Sequence, residues 1–503
     1  MESLTISEWL LTELKQGRFP PRMPSHRRVY EAIRRAIATQ HLTPGARLPS
    51  TRSLAEELSL SRNTLLAAFE QLHEEGYVVS RIGSGTRVAA TLPESFVPMR
   101  ASGATTDAEP PMNTSGRNTS GLSKRGAIVA GPSDQPSYEV QPFTPGEDDF
   151  SAFPTQIWRR LLNRQWRDPQ PAFLDYGHAG GHLPLRHAIA NYLRMSRTVN
   201  LTVEQVLITS GTQQSIDLCA RMLTDYGDRV WVENPCYWGA RRVLEVNGLS
   251  LHPVPVDDEG MAPGNTDFRN PPRLIYTTPS HQYPKGVAMS YGRRRLLLDY
   301  AASRGAWILE DDYDSEFRFE GRPLSSLQGM DQSGCVLYMG TFSKVMYPGI
   351  KLGYIVVPPE LAERFKRGLY ELQRPGQVVI QAALADFIEE GHFSTHIRRL
   401  RQIYKERRYL LQKALAPVTN VGARLPPAGS GLHLVVELPA ACDDVRVAEL
   451  AAEQGLRVYP LSHYSVGEKR EKGLIIGYAY ASTDRITTYG RILADVIQAA
   501  LSN

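Results

Sequence analysis

The sequence predicts an α/β protein with a small N-terminal helical domain, a linker, and a larger domain built around a mostly parallel sheet. The first ninety residues combine helix-periodic apolar positions with a short β-hairpin pattern. Residues 93–137 are dominated by Pro, Ser, Thr, Gly and Asn, which is typical of a flexible tether. From Tyr138 onward, strand-like and helix-like stretches alternate. We therefore predict domains at residues 1–92 and 138–503, a linker at 93–137, and a smaller α+β subdomain at roughly 375–503.

The bulk composition is that of an ordinary globular protein. The chain has 503 residues, 42% of them hydrophobic, and its four cysteines form no CxxC pair, which argues against disulfides or a metal site. A signal peptide and a membrane-spanning apolar run are both missing, so we expect a cytoplasmic protein with no membrane contact. The net charge is +4, and residues 1–92 hold 12 Lys and Arg against 9 Asp and Glu. This excess is a weak indication of nucleic-acid binding.

Two helices are predicted at the start of the N-terminal domain. Apolar residues at four-residue spacing, Val29, Ile33 and Ile37, indicate the first helix, which ends at Thr43–Gly45. The stretch Ser53–Glu56 has the form of a capping box that opens the second helix.

A third helix follows after a very short turn. Ser61 is its expected N-cap, and its inward stripe consists of Leu65, Phe69 and Leu72. Two helices joined so closely form a helix-turn-helix unit, in which the later helix enters the major groove. Arg62, Asn63 and Thr64 occupy the exposed first turn of that helix, where Arg can bond to guanine and Asn to adenine.

A hairpin completes this domain. β-forming residues flank the Gly-rich turn Gly83–Gly85, and Arg81 and Arg87 lie on either side of it, as in a DNA-binding wing. The structural alternative is a three-helix protein-interaction module with solvated arginines. The cap, the turn, the polar first turn and the wing agree with one another and favour DNA binding.

The segment 26–90 resembles the GntR-type winged helix. The resemblance rests on three stretches, Arg47–Arg52 (RLPSTR), Ser61–Thr64 (SRNT) and Gly83–Thr86 (GSGT). It implies that Arg52 and Arg62 bind phosphates and bases and that the wing tip enters the minor groove. The residues that it assigns to DNA are Arg47, Ser50, Arg52, Ser61, Arg62, Asn63, Thr64, Gly83, Gly85 and Thr86.

In the large domain, a short strand at Val206–Thr209 runs into Ser210 and Gly211, and a helix follows. The free N–H groups at the start of such a helix, here near Gly211, Thr212 and Gln213, form an anion-binding site. Later strands deliver Tyr237, Asp311 and Tyr313 to what we expect to be the same sheet edge, since ligands bind outside the carboxyl ends of parallel strands. These later strands are expected at Arg229–Glu233, Arg273–Thr277 and Trp307–Glu310.

The stretch Cys335–Tyr354 carries a candidate nucleophile. An apolar run, Val336–Met339, reads as a buried strand, and Thr341, Ser343 and Lys344 follow it closely. Burial would lower the pKa of a lysine there and make it a competent amine nucleophile for a Schiff base. Lys351 adds a cation seven residues later. The structural alternative is a surface loop with two lysines.

Together these residues fit a pyridoxal 5'-phosphate (PLP) site. The ring of Tyr237 would stack on the pyridine, Asp311 would pair with its nitrogen, and Tyr313 would bind its 3-hydroxyl. The phosphate would be held by the group Gly211, Thr212, Gln213, Thr341, Ser343 and Lys351. Each residue alone has an ordinary structural reading, whereas the set as a whole is hard to obtain by accident.

The large domain resembles fold-type I aminotransferases through the motifs TSGTQQ, ENPCYWGAR, TPSHQYPKG, EDDYDSEFRF, GTFSK and PGIKLGY. With a GntR-type winged helix in front of it, the chain is similar to the MocR/GabR subfamily of bacterial regulators. The resemblance implies a homodimer that carries PLP as a Schiff base on Lys344, binds double-stranded promoter DNA, and responds to PLP or an amino compound. It also implies control of genes for vitamin B6 or amino-compound metabolism.

Three departures from the aminotransferase pattern bear on function. Lys351 stands where the family usually has arginine, which removes a bidentate phosphate contact. Tyr283 replaces the usual asparagine, and the stretch Gly473–Tyr478 lacks the usual arginine for a substrate carboxylate. The missing arginine favours sensing over turnover, because a free amino acid would be poorly oriented without it. The alternatives are an active PLP-dependent aminotransferase with an appended DNA-binding module, and a regulator whose cofactor pocket stays empty.

Overall fold

The computed structural model describes residues 6–15, 19–20, 23–39, 41–81, 85–90, 121–131, 140–167, 169, 171–320, 325–374, 376–426, 429–467 and 470–502. It divides into two compact units, Met1–Gly116 and Arg117–Asn503. None of the helices in these ranges is long and apolar enough to cross a membrane.

Within the described residues, the N-terminal unit contains four helices and a hairpin. The sequence predicts the last three helices and the hairpin but not the first helix. The elements are α1 (Ile6–Lys15), α2 (Ser25–Ala38), α3 (Thr51–Glu57), α4 (Arg62–Glu74), β1 (Val78–Arg81) and β2 (Gly85–Val88). Val29 and Ile33 of α2, Leu54 of α3 and Leu65 of α4 are completely buried together in one core. Burial of these apolar residues holds the helices together, since each helix is too short to be stable alone.

The capping of α3 differs from the expectation. The helix begins at Thr51, and the hydroxyl of Ser50 accepts a hydrogen bond from the Ser53 backbone N–H at 3.1 Å. Ser53 therefore lies inside the helix, where its hydroxyl donates to Glu57. The expected cap of α4 is confirmed, because the Ser61 hydroxyl accepts from the Thr64 N–H at 3.2 Å.

The second unit is built on an eight-stranded sheet in the order β3-β10-β9-β8-β7-β4-β5-β6. Strands β5, β4, β7, β8 and β9 pair in parallel, while β10 is antiparallel to both of its neighbours and β6 to β5. The fold is therefore α/β with a mostly parallel sheet, as predicted. The strands are β3 (Val206–Thr209), β4 (Arg229–Asn234), β5 (Ser250–Asp257), β6 (Gly260–Met261), β7 (Leu274–Thr277), β8 (Trp307–Asp312), β9 (Val336–Thr341) and β10 (Gly353–Val356).

Helices surround this sheet and bury its apolar strands. They are α5 (Lys124–Val129), α6 (Thr155–Arg167), α7 (Leu183–Arg197), α8 (Thr212–Leu223), α9 (Trp238–Val246), α10 (Asn265–Phe268), α11 (Tyr291–Arg304), α12 (Leu327–Met330), α13 (Ala362–Leu372) and α14 (Val378–Glu389). Helix α5 lies within the segment predicted as a structureless linker. Its Ile128 carbonyl accepts from Arg242 of α9 at 2.6 Å, so a tertiary contact holds a helix that has no apolar period of its own.

A smaller antiparallel sheet lies toward the C-terminus, in the order β11-β13-β12. Its strands are β11 (His433–Glu437), β12 (Tyr459–Pro460) and β13 (Gly473–Gly477), and its helices are α15 (His392–Leu415), α16 (Asp444–Glu453) and α17 (Ile486–Ser502). This α+β arrangement is the predicted one. Helix α14, which the prediction assigned to this subdomain, contacts α6 and α7 as well as α15.

Candidate functional site

The helix-turn-helix unit exposes the polar residues that the sequence assigns to DNA. Arg62 and Asn63 in the first turn of α4 are exposed, and so is Arg52 of α3, whose side chain is 81% accessible and forms a 3.5 Å ion pair with Glu56. Arg52 and Arg62 line one cavity of about 290 Å³ between the two helices. The two arginines that are predicted to contact DNA thus border the same surface.

The hairpin brings further predicted residues together. Gly85 and Thr86 lie in β2, and Thr86 exchanges a hydroxyl hydrogen bond with Ser80 of β1 at 2.9 Å. The guanidinium of Arg47 lies beside Gly85, where a Cβ would approach Nε to 3.3 Å. Ser50 and Ser61 act as helix caps, so their hydroxyls also have a structural role. Gly83 lies outside the described residues.

In the second unit, strand register places the predicted phosphate-binding residues at one edge of the large sheet. Gly353, the first residue of β10, pairs with Thr209 of β3 on one side and with Thr341 of β9 on the other. Gly211 comes two residues after Thr209, and a Cβ on Gly353 would lie 2.8 Å from the Cα of Gly211. Gly353 therefore allows the start of α8 to approach the end of β9.

The N-terminus of α8 fits an anion. Gly211 is its N-cap with φ 120°, and the first intrahelical bond runs from the Ser215 N–H, which leaves the N–H groups of Thr212 and Gln213 directed out of the helix end. The helix starts at Thr212, directly after Gly211. Thr341 also accepts from the Ser343 N–H at 3.1 Å, which orders the loop after β9.

Lys351 lies near this helix end, as predicted, and the structure adds a second cation there. Lys351 and Arg374 line one cavity of about 200 Å³ together with Ser210 and Gln214. Arg374 also lies 4.6 Å from the ring centroid of Tyr176. The sequence analysis missed Arg374 because it follows α13, far from any recognisable phosphate motif.

Asp311 is the most informative side chain of the site. It is 3% exposed, and its Oδ2 accepts from the hydroxyl of Tyr276 at 2.7 Å. Its Oδ1 is buried and has no hydrogen-bond partner among the described residues. Burial, reinforced by the neighbouring carboxylates, raises the pKa of Asp311 to about 7 against the hydrogen bond from Tyr276. A buried acceptor of this kind requires a donor, and a pyridinium N–H is one.

Three tyrosines surround this position. The ring centroids of Tyr237 and Tyr283 are 5.7 Å apart, and those of Tyr283 and Tyr313 are also 5.7 Å apart, both edge-to-face. Burial, and after it the charge of Asp311, raises the pKa of Tyr237. The structure therefore brings Tyr237, Asp311 and Tyr313 together, as the sequence predicts, and places Tyr283 between the two tyrosines.

His281 positions Tyr313 and was missed by the sequence analysis. The Tyr313 hydroxyl donates to the His281 carbonyl at 3.1 Å and lies 3.0 Å from Nδ1 of the same residue. Nδ1 is also 3.0 Å from Oδ2 of Asp314, which is completely buried. The signal was a histidine four residues after the end of β7, within the stretch TPSHQYPKG.

Lys344 is only partly buried, which corrects the expectation of a fully desolvated amine. Its Nζ donates to the carbonyl oxygen of Gly146 at 2.6 Å. Burial lowers the pKa of His433 to about 3, and the neighbouring His281 and the charge of Lys344 add to this effect. The ring centroid of His433 lies 5.1 Å from that of His281 and 5.1 Å from that of Tyr283.

Tyr459, His463 and Tyr464 of the small subdomain separate into two groups. Tyr464 is buried with its hydroxyl 3.4 Å from that of Tyr283, and Tyr459 belongs to the same apolar cluster. His463 is exposed, so it lies apart from them. Strand β13 contains no arginine, and a Cβ on its last residue, Gly477, would lie 2.5 Å from the Thr144 carbonyl oxygen.

Comparisons with known proteins agree with this geometry. The model of the bacterial regulatory proteins of the gntR family matches residues 25–88, and that of aminotransferase class I and II matches residues 148–486. The probable rhizopine catabolism regulatory protein MocR of Rhizobium meliloti is 42% identical over 463 residues, covering 91% of this chain and 90% of that protein. This chain belongs to the MocR-type regulators of the GntR family.

Other relatives of this MocR-type regulator cover both domains or the second alone. The pyridoxine biosynthesis regulator PdxR of Corynebacterium glutamicum is 32% identical over 93% of this chain and 94% of its own length. The structure of Pyrococcus horikoshii kynurenine aminotransferase, in complex with PMP, matches with a TM-score of 0.66 and 26% identity, covering 72% of this chain and 92% of that one. LysN from Thermus thermophilus, complexed with N-(5'-phosphopyridoxyl)-L-leucine, gives the same TM-score and identity over 72% and 93%.

This MocR-type regulator is therefore a DNA-binding transcriptional regulator with an aminotransferase-like domain, and its cofactor is PLP. The free Oδ1 of Asp311 fits the protonated ring nitrogen of that group. When bound, PLP supplies an aldehyde and an electron-withdrawing ring to an amine. Tyr313 would bind the ring hydroxyl, and the N-terminus of α8 with Lys351 would bind the phosphate.

Proposed function

We propose that this regulator holds PLP through a Schiff base on Lys344 and changes its action on promoter DNA when PLP or an amino compound binds. The observation that carries the proposal is Asp311, whose buried and unpaired carboxylate oxygen lies at the sheet edge beside the tyrosine cluster. An acceptor kept free at this cost is a binding group for a cationic ring. The genes that it controls would belong to vitamin B6 or amino-compound metabolism, as the names of PdxR and MocR indicate for those relatives.

The DNA-binding part of the proposal rests on the helix-turn-helix surface. Arg62, Asn63 and Arg52 are exposed on α3 and α4, and none of them contributes to the core. Such residues remain available for base edges and phosphates. We place the regulator in the cytoplasm, with its promoter DNA, and infer a homodimer, because two winged helices would then cover two half-sites.

The effector response would follow from movement of the small subdomain. Tyr464 of that subdomain meets Tyr283 beside the site, so a ligand that binds between them has different contacts in open and closed arrangements. Closure would change the spacing of the tethered winged helices. X-ray scattering curves of the protein with PLP, recorded with and without an amine effector, should differ; superimposable curves would argue against this mechanism.

The central experiment combines spectroscopy with DNA binding. Purified protein incubated with PLP should acquire the visible absorbance of a lysine Schiff base and should bind a duplex from its own promoter with an affinity that falls steeply with salt. Protein that stays colourless with PLP would favour the empty-pocket alternative. Protein that takes up PLP but binds no promoter duplex would contradict the regulatory function.

One observation favours the aminotransferase alternative: Asp311, Thr341 and Lys344 lie at or just after the carboxyl ends of the neighbouring parallel strands β8 and β9. Steady transfer of an amino group from an amino acid to a keto acid, at a turnover above roughly 1 s⁻¹, would support it. We expect far slower turnover, because β13 provides no arginine to orient a substrate carboxylate.

A further inference from the structure

Helix α5 is a marginal helix that lies toward the end of the predicted linker. It has six residues, none of them buried, and Gly126 lowers its helix propensity. Lys124 and Arg125 place two cations in its first turn, where the helix dipole disfavours positive charge. A cap by Ser123 offsets only part of this, because so short a helix does not form alone in water. The helical state of α5 therefore depends on what it contacts.

Helix α9 holds the C-terminal end of α5. The Arg242 guanidinium of α9 donates to the Ile128 carbonyl oxygen at 2.6 Å. Carbonyl oxygens in the last turn of a helix lack intrahelical donors and carry the negative end of the dipole, so a guanidinium stabilises them. The chain then passes close to the same side chain, since a Cβ on Gly131 would lie 3.4 Å from Nη1 of Arg242. Arg242 thus joins the linker helix to α9.

The other end of α9 borders the cofactor site. Its N-cap is Tyr237, the residue that is predicted to stack on the PLP ring. The side chain of Tyr237 lies against the first turn of α9, because a Cβ on Gly239 would approach its ring to 2.5 Å. Arg242 follows Tyr237 by five residues, which is about 7.5 Å along a helix. One short helix therefore connects the ring-stacking residue with the linker.

The residues that lead into α9 also contact the small subdomain. The Cys236 N–H donates to the Tyr464 carbonyl oxygen at 2.9 Å, and Oδ1 of Asn234 accepts from the Val466 N–H at 2.8 Å. The hydroxyl of Tyr464 in turn meets that of Tyr283 beside the site. A ligand at the site and the position of the small subdomain thus both act on α9.

We propose that α5 is a switchable segment of the linker, which docks on α9 through Arg242 and responds to occupancy of the cofactor site. A PLP ring stacked on Tyr237 restricts α9 and stabilises the docked helix, and loss of that stacking releases α5. This inference deepens the proposed function and rests on it in one respect, namely that PLP binds beside Tyr237.

Docking of α5 changes the length of the tether. On the sequence-based expectation of a flexible linker, docking shortens the tether from residues 93–137 to residues 93–122. The effective concentration of a tethered domain falls roughly as the −3/2 power of tether length, so release lowers it by about twofold. In the proposed homodimer, α5 would therefore adjust how readily the second winged helix engages its half-site.

The first test is hydrogen exchange of the full-length protein, measured by mass spectrometry on peptides covering α5. The amides of Ala127 and Ala130, which donate to carbonyls of α5 and its cap, should exchange about fivefold or more slowly with PLP than without it. Arg242→Ala should speed their exchange by about tenfold or more and remove the dependence on PLP, since a hydrogen bond from a charged group is lost. Arg295→Ala, which removes an exposed arginine of α11, is the matched control and should behave as the wild type.

A second pair of variants leaves α9 untouched and keeps the proposal falsifiable if Arg242→Ala does not fold. Ala127→Pro removes the hydrogen bond from the Ala127 N–H to the Ser123 carbonyl and breaks α5, whereas Lys124→Pro lies at the first helical position, where proline is tolerated. Because coupling is reciprocal, Ala127→Pro should weaken PLP binding by the factor by which PLP slows exchange in the wild type. It should also lower promoter affinity in the presence of PLP by about twofold. Lys124→Pro should change neither property in absorbance and gel-shift titrations.

Exchange of α5 that does not respond to PLP in the wild type would overturn the proposal. Equal PLP affinities of Ala127→Pro and Lys124→Pro would do the same. If the wild-type protein nevertheless takes up PLP and binds promoter DNA, only this inference fails. The proposed function fails separately, through loss of either property in the wild type.

Discussion

The helix-turn-helix surface and the edge of the large sheet hold their functional side chains in opposite ways. Arg52 on the first surface is 81% accessible, and Asp311 at the second is 3% accessible. The DNA-facing residues lie on helices whose other faces form the core, so their side chains can change without repacking. At the sheet edge, Asp311 is buried in a network of tyrosines and carboxylates, while Lys344 is half-buried. Substitutions should therefore separate function from stability in the first region and couple them in the second.

Lys344→Ala should have the largest effect and should sharpen this contrast. The variant loses the amine that is predicted to form the Schiff base, so its visible absorbance with PLP and its response to effector should both disappear. Its affinity for promoter DNA without effector should stay within a factor of about two, since no residue of α3 or α4 is altered. Absorption spectra and gel-shift titrations measure the two properties. A persistent Schiff-base spectrum would show that another lysine is used.

Asp311→Asn should come next, with a loss of PLP affinity of about tenfold or more because the neutral amide cannot pair with the ring cation. It should also change stability. The folded pKa of Asp311 is about 7, above the ordinary value of about 4, so the folded state keeps a proton that the unfolded chain releases between those values. Stability from this group is therefore present below pH 4 and is lost as the pH rises through 7.

The measurement for Asp311→Asn is the melting temperature of the cofactor-free protein as a function of pH. The melting temperature of the variant minus that of the wild type should increase from pH 4 to pH 7. Other buried carboxylates with raised pKa values, such as Glu310 and Glu316, are present in both proteins and cancel in the difference. A difference that does not change with pH would show that the pKa of Asp311 is not raised in the folded protein.

Arg62→Ala should have an intermediate effect confined to DNA. Loss of a bidentate base contact costs about 1–3 kcal/mol, which corresponds to roughly 5- to 150-fold in affinity. The melting temperature should not change, because Arg62 is exposed. His73→Ala on the last turn of the same helix provides a matched control that should retain affinity. An equal loss of DNA affinity for both variants would show that the substitutions disturb α4 itself.

The sequence predicted those parts of the site that follow directly from a strand and its turn. Asp311 and Thr341 lie at the ends of buried strands, Lys344 comes just after one, and a parallel sheet brings such ends to one edge. The contact between Lys344 and the Gly146 carbonyl could not be found in this way, because 198 residues separate the two and only the fold brings them together. Helix α5 was missed for a similar reason, since its support comes from α9.

Local ambiguity explains the error in capping. The hydroxyls of Ser50 and Ser53 could each accept a hydrogen bond from the backbone N–H three residues later, and propensity alone does not distinguish the two caps. Pro49 comes immediately before Ser50, and the extended backbone of Ser50 (φ −66°, ψ 150°) places its hydroxyl over the first turn. The first helical turn therefore starts three residues earlier than the pattern suggested.

The smallest effect, and the one that tests the contrast most directly, is expected for Ser61→Ala. Ser61 caps α4 and is also predicted to contact DNA, so it combines a role in stability with a role in DNA binding. Loss of the cap should lower the free energy of unfolding of the N-terminal unit by about 1 kcal/mol. Ser61→Asp restores the cap but places a negative charge next to the phosphates. It should recover stability in chemical denaturation while losing DNA affinity in gel-shift titration. If Ser61→Asp binds DNA as well as the wild type, Ser61 serves only as a cap, and the exposed surface for DNA begins at Arg62.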